Sequence, residues 1–538
     1  MKVAVIGGGI AGLASAALIA ADGHDVDLFE QQDTVGGRAG SHSAGGFRFD
    51  TGPSWYLMPE VFDHFFELLG TSAAEQLDLR RLDPAYRVFY EGASAETSPR
   101  IDITADTATN LATFEQIEPG AGRALGAYLE SARDAYDIAL QHFLYTNFTS
   151  PLALASPDVV RRLPRLLPLL TRSLEQFVSS RFTDVRLRQV LGYPAVFLGS
   201  SPDRAPSLYH LMSALDLTGG VMYPQGGFTH LIDSIAHQAR RHGARIHTGA
   251  TVTEVTTKDS GRRRGPKALV TGIRWRDAHG TEHVHTADVV IGAGDLHHLE
   301  TRLLPERLRT YPQSYWDKRQ SGPGAVLVLL GVRGELPELA HHSLFFTDDW
   351  RANFDAIFSG RVPTPASAYV CKPSATDPSV APEGHENLFV LVPVPADPEL
   401  GHGGADGEGS PRVEAVADAA IAQISTWAGI PDLSERVVVR HTIGPGDFAK
   451  DLFAWRGGML GPSHTLRQSA MFRSRNSSRR VSGLYYAGSS TIPGIGLPMC
   501  LISAELVLKH LRGDTSTGPL PVQASVSGPD AHHREAVG

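Results

Sequence analysis

The sequence predicts an α/β fold in which a parallel-sheet domain carries an inserted α+β domain. An apolar strand, Val3–Ile6, runs through a glycine-rich turn into an uncharged helix, Ile10–Ala21, which is typical of the start of a β-α-β unit. A second apolar strand, residues 287–293, lies far along the chain and is expected to rejoin the same sheet. Alternating segments near 325–332 and 388–394 predict an antiparallel sheet in the inserted domain.

Composition supports a large folded enzyme and excludes several other classes. The chain has 538 residues, of which 42% are hydrophobic and 20% charged, so it can bury a sizeable core. Its net charge of −9 argues against a nucleic-acid-binding protein. Two cysteines, Cys371 and Cys500, are too few for a disulfide framework or a zinc site and are interpreted as packing residues of a protein from a reducing compartment.

The first element is interpreted as a dinucleotide-binding turn of the Rossmann type. Residues 3–21 lack charge and so imitate a membrane span or a secretory signal, but four glycines are unfavourable in a helix interior. In Gly7-x-Gly9-x-x-Gly12, the first glycine permits the tight turn, the second lets the backbone approach a pyrophosphate, and the third allows close helix–strand packing. The helix N-terminus then favours bound phosphate.

The next strand and turn extend this motif. The strand Val26–Phe29 ends at Glu30, where an acidic side chain is expected to bind a ribose hydroxyl. Gly36, Gly37 and Arg38 then offer a second backbone approach and a cation beside the pyrophosphate. The spacing from Glu30 to these residues resembles the second dinucleotide motif of glutathione-reductase-like FAD proteins, particularly the amine oxidase and carotenoid desaturase branch, and therefore implies FAD rather than NAD.

The remaining elements are predicted from their periodicity. We expect the FAD-binding domain to comprise residues 1–95, 220–300 and 440–512, and the substrate domain residues 96–219 and 301–439, with a disordered tail from 513 to 538. A loop at 261–267 is interpreted as the exposed basic loop of the hairpin formed by 270–276 and 283–285. The predicted helices are Val61–Leu69, Phe114–Leu140 and Thr229–His242, with strands at Arg245–His247 and Val252–Val255, of which Val252 is a predicted cofactor contact.

The C-terminal segment predicts a second contact with the cofactor. A strand, Leu484–Ala487, runs into a glycine-rich turn and then a helix, Met499–His510. The N-terminus of that helix can stabilise the negative charge of a reduced flavin. The small or rigid residues predicted to leave room for flavin and a flat substrate are Gly488, Gly494, Gly496 and Pro498.

Several longer motifs resemble one family from about residue 2 to residue 512. They are TGPSWYLMP at Thr51–Pro59, YPQGGF at Tyr223–Phe228, and the C-terminal GGMLG, HTLRQSA, GLYYAG and PGIGLP segments. Together they resemble the bacterial-type phytoene desaturases, a group of carotenoid oxidoreductases with a glutathione-reductase- or amine-oxidase-like fold. The sequence departs from that pattern at Ile492, where histidine is usual, and at Ser474, where proline is common. The first departure leaves substrate preference open.

The resemblance implies an FAD-dependent enzyme that dehydrogenates phytoene stepwise toward lycopene-type polyenes, with a hydride passing to flavin N5. The sequence leaves other carotenoid-modifying flavoproteins open, namely a diapocarotene desaturase, a ketolase or an isomerase. More distant alternatives are an amine oxidase and a non-enzymatic binder of prenylated proteins on the same scaffold. The resemblance also places Asp158 and Arg161 near the substrate tunnel as candidate catalytic residues, although a helix cap and a solvated arginine are the simpler interpretation. No metal is predicted from His297 and His298, because no further ligand motif accompanies them.

A polyene substrate implies access from a membrane. Between Asp158 and Arg188 the sequence carries seven arginines against three acidic residues, with leucines interleaved, which favours an interfacial segment attracted to anionic lipid. A basic face of a soluble helical domain is the alternative. We expect a cytoplasmic protein peripherally attached to the membrane, with oxygen or a quinone as electron acceptor, since no second fingerprint for NAD is present.

Overall fold

The computed structural model of the protein describes residues 1–92, 100–148, 157–262 and 264–522. The strands are, in chain order, β1 Lys2–Ile6, β2 Asp25–Phe29, β3 Ser41–Ala44, β4 Phe47–Asp50, β5 Leu79–Arg81, β6 Tyr86–Tyr90, β7 Ile101–Ile103, β8 Met222–Pro224, β9 Arg245–His247, β10 Thr251–Asp259, β11 Ala268–Arg276, β12 Glu282–Thr286, β13 Val289–Gly292, β14 Gly324–Arg333, β15 His342–Phe346, β16 Ala368–Cys371, β17 His385–Val394, β18 Val437–Ile443, β19 Val481–Ser482 and β20 Leu484–Tyr486.

The helices occupy most of the remaining chain. In chain order they are α1 Ile10–Ala21, α2 Pro59–Leu68, α3 Ala73–Gln76, α4 Thr107–Ile117, α5 Ala121–His142, α6 Pro157–Thr171, α7 Leu174–Ser179, α8 Val185–Gly192, α9 Pro194–Phe197, α10 Gly227–Arg241, α11 Leu296–Arg302, α12 Gln313–Trp316, α13 Trp350–Phe358, α14 Pro411–Ala428, α15 Leu433–Arg436, α16 Pro445–Asp451 and α17 Leu497–Arg512. Within the described ranges, none of them combines the length and apolar character needed to cross a bilayer.

A five-stranded parallel sheet confirms the predicted fold class. Its order is β20-β13-β1-β2-β9, so strands from the start, the middle and the C-terminal third of the sequence lie side by side. The predicted bounds of α1 are confirmed, and α1 packs with α10 and α17 in one hydrophobic core that also contains the buried side chains of β1 and β2. All five strands direct their carboxyl ends to one edge, where ligands bind in sheets of this type.

A four-stranded sheet adjoins the parallel sheet and corrects one prediction. β10 pairs with β11, and β11 pairs with both β12 and β19. The basic loop after Gly261 therefore joins β10 to β11, whereas the tight hairpin between β11 and β12 turns at Asp277–Thr281. Both connections carry polar and glycine residues, so composition alone did not distinguish which one closes the hairpin.

The second large sheet has seven strands in the order β18-β14-β17-β16-β15-β6-β7. β14 and β17 pair antiparallel over their full ten-residue length, as the alternating pattern predicts. The domain division stays a prediction, but β6 joins this sheet although the predicted bounds placed it in the FAD-binding domain, and β18 crosses the predicted boundary between residues 439 and 440. Each has few distinguishing residues of its own, and long-range pairing decides which sheet it enters.

The segment after α17 is ordered as far as it is described. Lys509 is buried and its ammonium group donates to the carbonyls of Tyr145, Ser516 and Gly518. Leu520 is also buried, and its N–H donates to Glu505. Residues 513–522 thus differ from the predicted disordered tail because Lys509 ties them to the core, while residues 523–538 lie outside the described part.

Candidate active site

One elongated cavity of about 680 Å³ extends from the carboxyl edge of the parallel sheet to the seven-stranded sheet. One end is formed by glycine-rich turns after β1, β2 and β20. The other end is formed by apolar and aromatic side chains, among them Trp55, Phe197, Phe346, Trp350 and Leu391. The cavity therefore joins a backbone-lined polar end to a hydrophobic channel.

The turn after β1 has the geometry of a phosphate cradle. Gly7 adopts φ +100°, and both Gly7 and Gly9 line the cavity. The helix α1 begins immediately afterwards with no side-chain cap and no acidic residue in its first turn, so its first N–H groups remain available to an anion. Gly12 does not line the cavity; a Cβ there would lie 1.9 Å from the carbonyl oxygen of Gly7, so this glycine acts through packing.

Glu30, directly after β2, lies beside the first glycine turn. Its Oε2 accepts from the N–H of Gly8 at 2.5 Å, and its Oε1 accepts from the N–H of Gln32 at 2.9 Å. The side chain is buried and lines the cavity. Glu30 therefore links the first glycine turn to the end of β2, and each of its oxygens keeps a lone pair for a ligand hydroxyl.

The second glycine turn brings a cation to the same place. Gly36 lies beside Gly9 in an isolated parallel bridge, and a Cβ on Gly37 would lie 3.3 Å from the Cα of Gly9. Arg38 lines the cavity, and its Nε and Nη2 atoms are buried without hydrogen-bond partners among the described residues. Nη2 lies 3.7 Å from Oδ2 of Asp295. Unsatisfied guanidinium donors beside a glycine cradle fit a bound diphosphate.

The C-terminal turn supplies the opposite wall. Gly488, Gly496 and Pro498 line the cavity, and Gly496 is the N-cap of α17 with φ +123°. That helix has no acidic residue in its first turn, so its N-terminus presents a positive dipole end to the cavity. Gly494 does not line the cavity; a Cβ there would lie 2.3 Å from the His464 ring, so its role is to let that ring approach.

The other predicted site residues have different outcomes. Val252 lines the cavity beside the glycine turns. Asp158 and Arg161 lie on α6, and Arg161 is not among the described cavity-lining residues. Arg161 is exposed, and the side chain of Asp158 lies outside the described part. The catalytic assignment of Asp158 and Arg161 stays a prediction.

A buried carboxyl group beside the channel was missed by sequence reasoning. Oδ2 of Asp216 accepts from the Tyr193 hydroxyl at 2.5 Å and from the Tyr86 hydroxyl at 3.1 Å. Tyr193 lines the cavity, whereas Asp216 lies behind it in a π-helical turn, Leu215–Gly219. Burial raises the pKa of Asp216 to about 6. The only signal in the sequence was a single acid between two leucines, which is too common to identify a site.

A second missed group supports the turn before α17. His464 Nδ1 lies 2.5 Å from the Tyr209 hydroxyl, and His464 Nε2 accepts from the N–H of Ile495 at 3.2 Å. Because Nε2 accepts, Nδ1 carries the proton and donates to Tyr209. Arg473 is buried behind them, and its guanidinium donates to backbone carbonyls that include those of Thr491 and Gln468. These side chains fix the turn that faces the glycine cradle.

The channel reaches the surface through a rim of exposed apolar residues. Leu170 on α6, and Leu466, Met471 and Phe472 on the segment before β19, are all exposed, and all line the cavity. A polar cleft with Lys318, Arg319 and Arg467 lies directly beside this rim. A water-soluble substrate would not need such a rim, because exposed apolar patches of this kind mark contact with apolar partners or lipid.

Comparison with known proteins gives a consistent result. The family described as flavin containing amine oxidoreductase matches residues 10–507. The chain is 40% identical to a carotenoid 3,4-desaturase of Haloarcula japonica, covering 95% of this chain and 98% of that protein. It is 35% identical to a zeta-carotene-forming phytoene desaturase of Myxococcus xanthus, covering 95% and 93%. The crystal structure of an oxidoreductase from Methanosarcina mazei aligns with a TM-score of 0.58 at 17% identity, covering 95% of this chain and 100% of that one.

Proposed function

This chain belongs to the flavin containing amine oxidoreductases, and from that premise we propose that it is an FAD-dependent carotenoid desaturase. The two relatives are named as carotenoid desaturases, and this chain is a flavin-dependent oxidoreductase that acts on CH–CH groups. The substrate class we propose is a long, acyclic hydrophobic polyene. The observation that carries the proposal is the single cavity that joins a phosphate cradle to an apolar channel open at an apolar rim.

The polar end of the cavity is suited to FAD. Gly9 and Gly37 would admit the diphosphate, the unsatisfied Nε and Nη2 of Arg38 would donate to it, and Glu30 would accept from a ribose hydroxyl. The N-terminus of α17 would face the flavin ring and stabilise negative charge there. When bound, the flavin supplies the acceptor for the hydride that an allylic C–H group of the substrate loses.

The apolar end of the cavity orients the polyene and excludes water. Trp55 packs against Tyr193 and Phe197 with ring centroids 6.0 and 5.4 Å apart, and these three cavity-lining side chains form an aromatic wall, with Tyr86 behind Trp55. Such a wall contacts a flat conjugated chain along its length without requiring polar groups on it. The aromatic channel therefore favours a rigid polyene over a short charged amine, which would need a buried partner for its ammonium group.

Desaturation also removes a proton from the neighbouring carbon, and Tyr193 and Asp216 provide a route for it. We propose that the substrate proton passes to the Tyr193 oxygen while the phenolic proton passes to Oδ2 of Asp216. The hydrogen bond from the Tyr193 hydroxyl to Oδ2 of Asp216 provides the path for this transfer. With a pKa of about 6, the Asp216 carboxyl is largely ionised at pH 7 and can accept the proton.

The rim of the channel supports a peripheral membrane location, which we propose in a form that differs from the sequence prediction. Leu466, Met471 and Phe472 would insert among lipid acyl chains, and Lys318, Arg319 and Arg467 would contact anionic headgroups. Of the predicted interfacial segment, α6 contributes Leu170 to the same rim. A carotenoid could then enter the channel directly from the bilayer, and oxygen or a quinone remains the proposed final electron acceptor.

Two carotenoid substrates, which differ in where the new double bond is formed, are candidates. Phytoene is the substrate that the sequence motifs imply, and the phytoene desaturase of Myxococcus xanthus is 35% identical to this chain. The carotenoid 3,4-desaturase of Haloarcula japonica is 40% identical over almost the full length. The higher identity favours 3,4-desaturation of a carotenoid that is already partly conjugated. Ile492, which departs from the phytoene desaturase pattern, lines the cavity, where its side chain can affect substrate preference.

Pigment production in two bacterial hosts tests the proposal. One host accumulates phytoene and the other accumulates lycopene, and each expresses the chain or its Arg38→Ala variant. New absorption bands at longer wavelength in the lycopene host alone would support 3,4-desaturation, and colour in the phytoene host would support phytoene desaturation. Arg38→Ala should give neither, because the diphosphate loses its donors. Soluble, flavin-loaded protein that changes neither pigment, or a product that gains oxygen or only isomerises, would contradict the proposal.

A further inference from the structure

A cluster of donor atoms lies behind the channel wall and plays no part in the proposed reaction. One ring nitrogen of His341, one of His342 and the sulfur of Cys371 lie within 4.8 Å of one another, and all three residues are buried. His342 and Cys371 are directly opposed in the β15–β16 ladder, so the sheet itself fixes their proximity. We propose that this cluster binds one transition-metal ion through two imidazoles and a thiolate.

The hydrogen bonds of the two imidazoles leave one nitrogen free on each. His341 Nδ1 lies 2.8 Å from the Thr376 hydroxyl, and His342 Nδ1 lies 2.8 Å from the Tyr369 hydroxyl. The Nε2 atoms of both are buried without hydrogen-bond partners in the described part of the chain. A hydroxyl that accepts from Nδ1–H leaves a lone pair on Nε2, which is the tautomer and the outer contact that metal-ligating histidines use.

Two buried, unsatisfied nitrogens are unfavourable without an occupant. An unpaired buried polar atom is destabilising, and most buried polar atoms in folded proteins are paired. Ligand atoms that share an ion in tetrahedral geometry through bonds of about 2.0–2.3 Å lie about 3.3–3.8 Å apart. The observed limit of 4.8 Å therefore requires a closure of up to about 1.5 Å, which side-chain rotations supply.

The donor set selects the kind of ion. Two imidazoles and a thiolate suit Zn²⁺ or Cu⁺ and exclude Mg²⁺ and Ca²⁺, which require oxygen ligands. Binding replaces the thiol proton of Cys371, which is released to solvent. His341 also lines a surface pocket, which brings the cluster close to solvent.

The proposed ion would stiffen the channel wall. Trp55, which lines the cavity, stacks on His342 with ring centroids 4.4 Å apart and an angle of 10°. Tyr369, which hydrogen-bonds His342, also lines the cavity. The ion would join the start of β15 to the end of β16 directly behind these two side chains, so occupancy should change the fluorescence of Trp55.

Metal analysis of the full-length, flavin-loaded protein tests this proposal. After chelator treatment, separate samples are loaded with Zn²⁺, Co²⁺ or Cu⁺, and bound metal is measured by mass spectrometry. We expect one equivalent per chain, a thiolate-to-Co²⁺ charge-transfer band, and a Tm that rises with free metal concentration. The ion that binds with the highest affinity among the three samples is the one that the site prefers.

Variants distinguish this site from adventitious binding. Cys371→Ser and His342→Gln should lose the bound equivalent, whereas Cys500→Ser, which removes the other buried cysteine, should keep it. If the first two variants do not fold, the charge-transfer band of the unmodified chain still reports a cysteine ligand. Absence of that band, substoichiometric uptake of all three ions, or equal binding by Cys371→Ser would overturn the proposal.

Discussion

At the scale of single residues, Glu30 connects two backbone segments that a ligand must bridge. Replacing it with alanine removes the acceptor for the N–H groups of Gly8 and Gln32 and the proposed contact with a ribose hydroxyl. Hydrogen bonds to a charged group contribute about 1.5–3 kcal/mol, so we expect FAD affinity to fall roughly 10- to 100-fold. Titration of the apoprotein with FAD measures this change.

The control for Glu30→Ala is Asp25→Ala on the same strand. Asp25 is exposed and pairs with Arg245 at the surface, so its loss should leave FAD affinity nearly unchanged. Equal affinity in the Glu30 variant and the unmodified protein would remove the proposed role of this carboxylate.

The proposed role of Asp216 predicts the pH at which the reaction slows. As a base it must be ionised, so kcat should fall as pH decreases through about 6, its raised pKa. Asp216→Asn should lower kcat about 100-fold or more and abolish this acidic limb, because general acid–base groups contribute roughly 10²–10⁴-fold. A pH–rate profile on detergent-dispersed substrate checks both. An Asn variant that keeps the acidic limb would assign the titration to another group.

Two tyrosine variants separate the proton route from the packing around Asp216. Tyr193→Phe removes the hydroxyl that lies between the cavity and the carboxyl and should lower kcat as Asp216→Asn does. Tyr86→Phe removes the other donor to the same oxygen. Because Tyr86 is not among the cavity-lining residues, activity should persist, and because the ionised carboxyl loses a hydrogen bond, the acidic limb of the pH–rate profile should shift to higher pH. Similar losses in both would indicate a purely structural cluster.

The same carboxyl has a separate effect on stability. Because its folded-state pKa lies above the usual 3.8, the folded protein binds this proton more tightly than the unfolded chain. The contribution of Asp216 to stability is therefore greatest below pH 4 and is lost as pH rises through about 6. This part of the pH dependence of Tm should be absent in Asp216→Asn.

The candidate site was predictable from the sequence only where its residues are neighbours in the chain. Gly7, Gly9, Glu30 and Arg38 lie within one β-α-β unit, so their spacing alone brings them together. The contact between Tyr209 and His464 joins residues 255 positions apart, and its existence depends on how two domains pack. No local pattern distinguishes such a histidine from the other 22 in the chain.

At the scale of elements, the turn before α17 depends on the absence of a side chain at residue 494. Gly494 has φ +144°, and an added Cβ would lie 2.3 Å from the His464 ring. Gly494→Ala should therefore displace His464, shift the N-terminus of α17 and alter the visible spectrum of the bound flavin, with weaker retention. Absorbance after gel filtration measures both effects.

A matched control uses a glycine without such a neighbour. Gly126 lies within α5, has ordinary helical φ and no atom within 4 Å of an added Cβ, so alanine there should stabilise the helix by about 1 kcal/mol. An unchanged flavin spectrum in Gly494→Ala would show that the turn before α17 accommodates the added Cβ without altering the cofactor site, which would contradict the prediction.

Element boundaries show where periodicity is insufficient. The bounds of α1 were predictable because the glycine turn marks its start and Asp22-Gly23 follows its end. The stretch Phe114–Leu140 was predicted as one helix, but the structure has two, α4 and α5, separated at Gly120, which adopts φ +88°. One glycine in an otherwise helical pattern is compatible with continuation or a break, and tertiary packing decides between them.

At the scale of the whole molecule, the channel rim predicts how the protein binds membranes. The protein should sediment strongly with anionic liposomes. Salt should weaken this binding because it screens the contacts of Arg467 and its neighbours with the headgroups, but binding should persist because the apolar side chains remain inserted. Phe472→Ser with Met471→Ser should reduce binding to both anionic and neutral liposomes. Val284→Ser provides the control, since Val284 is 63% exposed on β12 and does not line the cavity. Equal loss in the control would contradict a specific rim.

The three-part construction of the parallel sheet predicts cooperative behaviour. β1, β13 and β20 are adjacent in the sheet but distant in the chain, and the core beneath them is shared by α1, α10 and α17. Limited proteolysis should therefore not release an independently folded N-terminal third. A stable, flavin-binding fragment that ends before residue 150 would contradict this prediction.

The position of β20 and α17 also sets the order of events during synthesis. The strand next to β13 and the helix that closes the flavin wall are translated about 190 residues after β13 itself. Until they leave the ribosome, the sheet has an open edge and the apolar channel has no wall on that side. We therefore expect flavin to bind only after this segment has been synthesised. A chain that completes synthesis without flavin would expose its apolar channel to water and would become a substrate for chaperones and proteases.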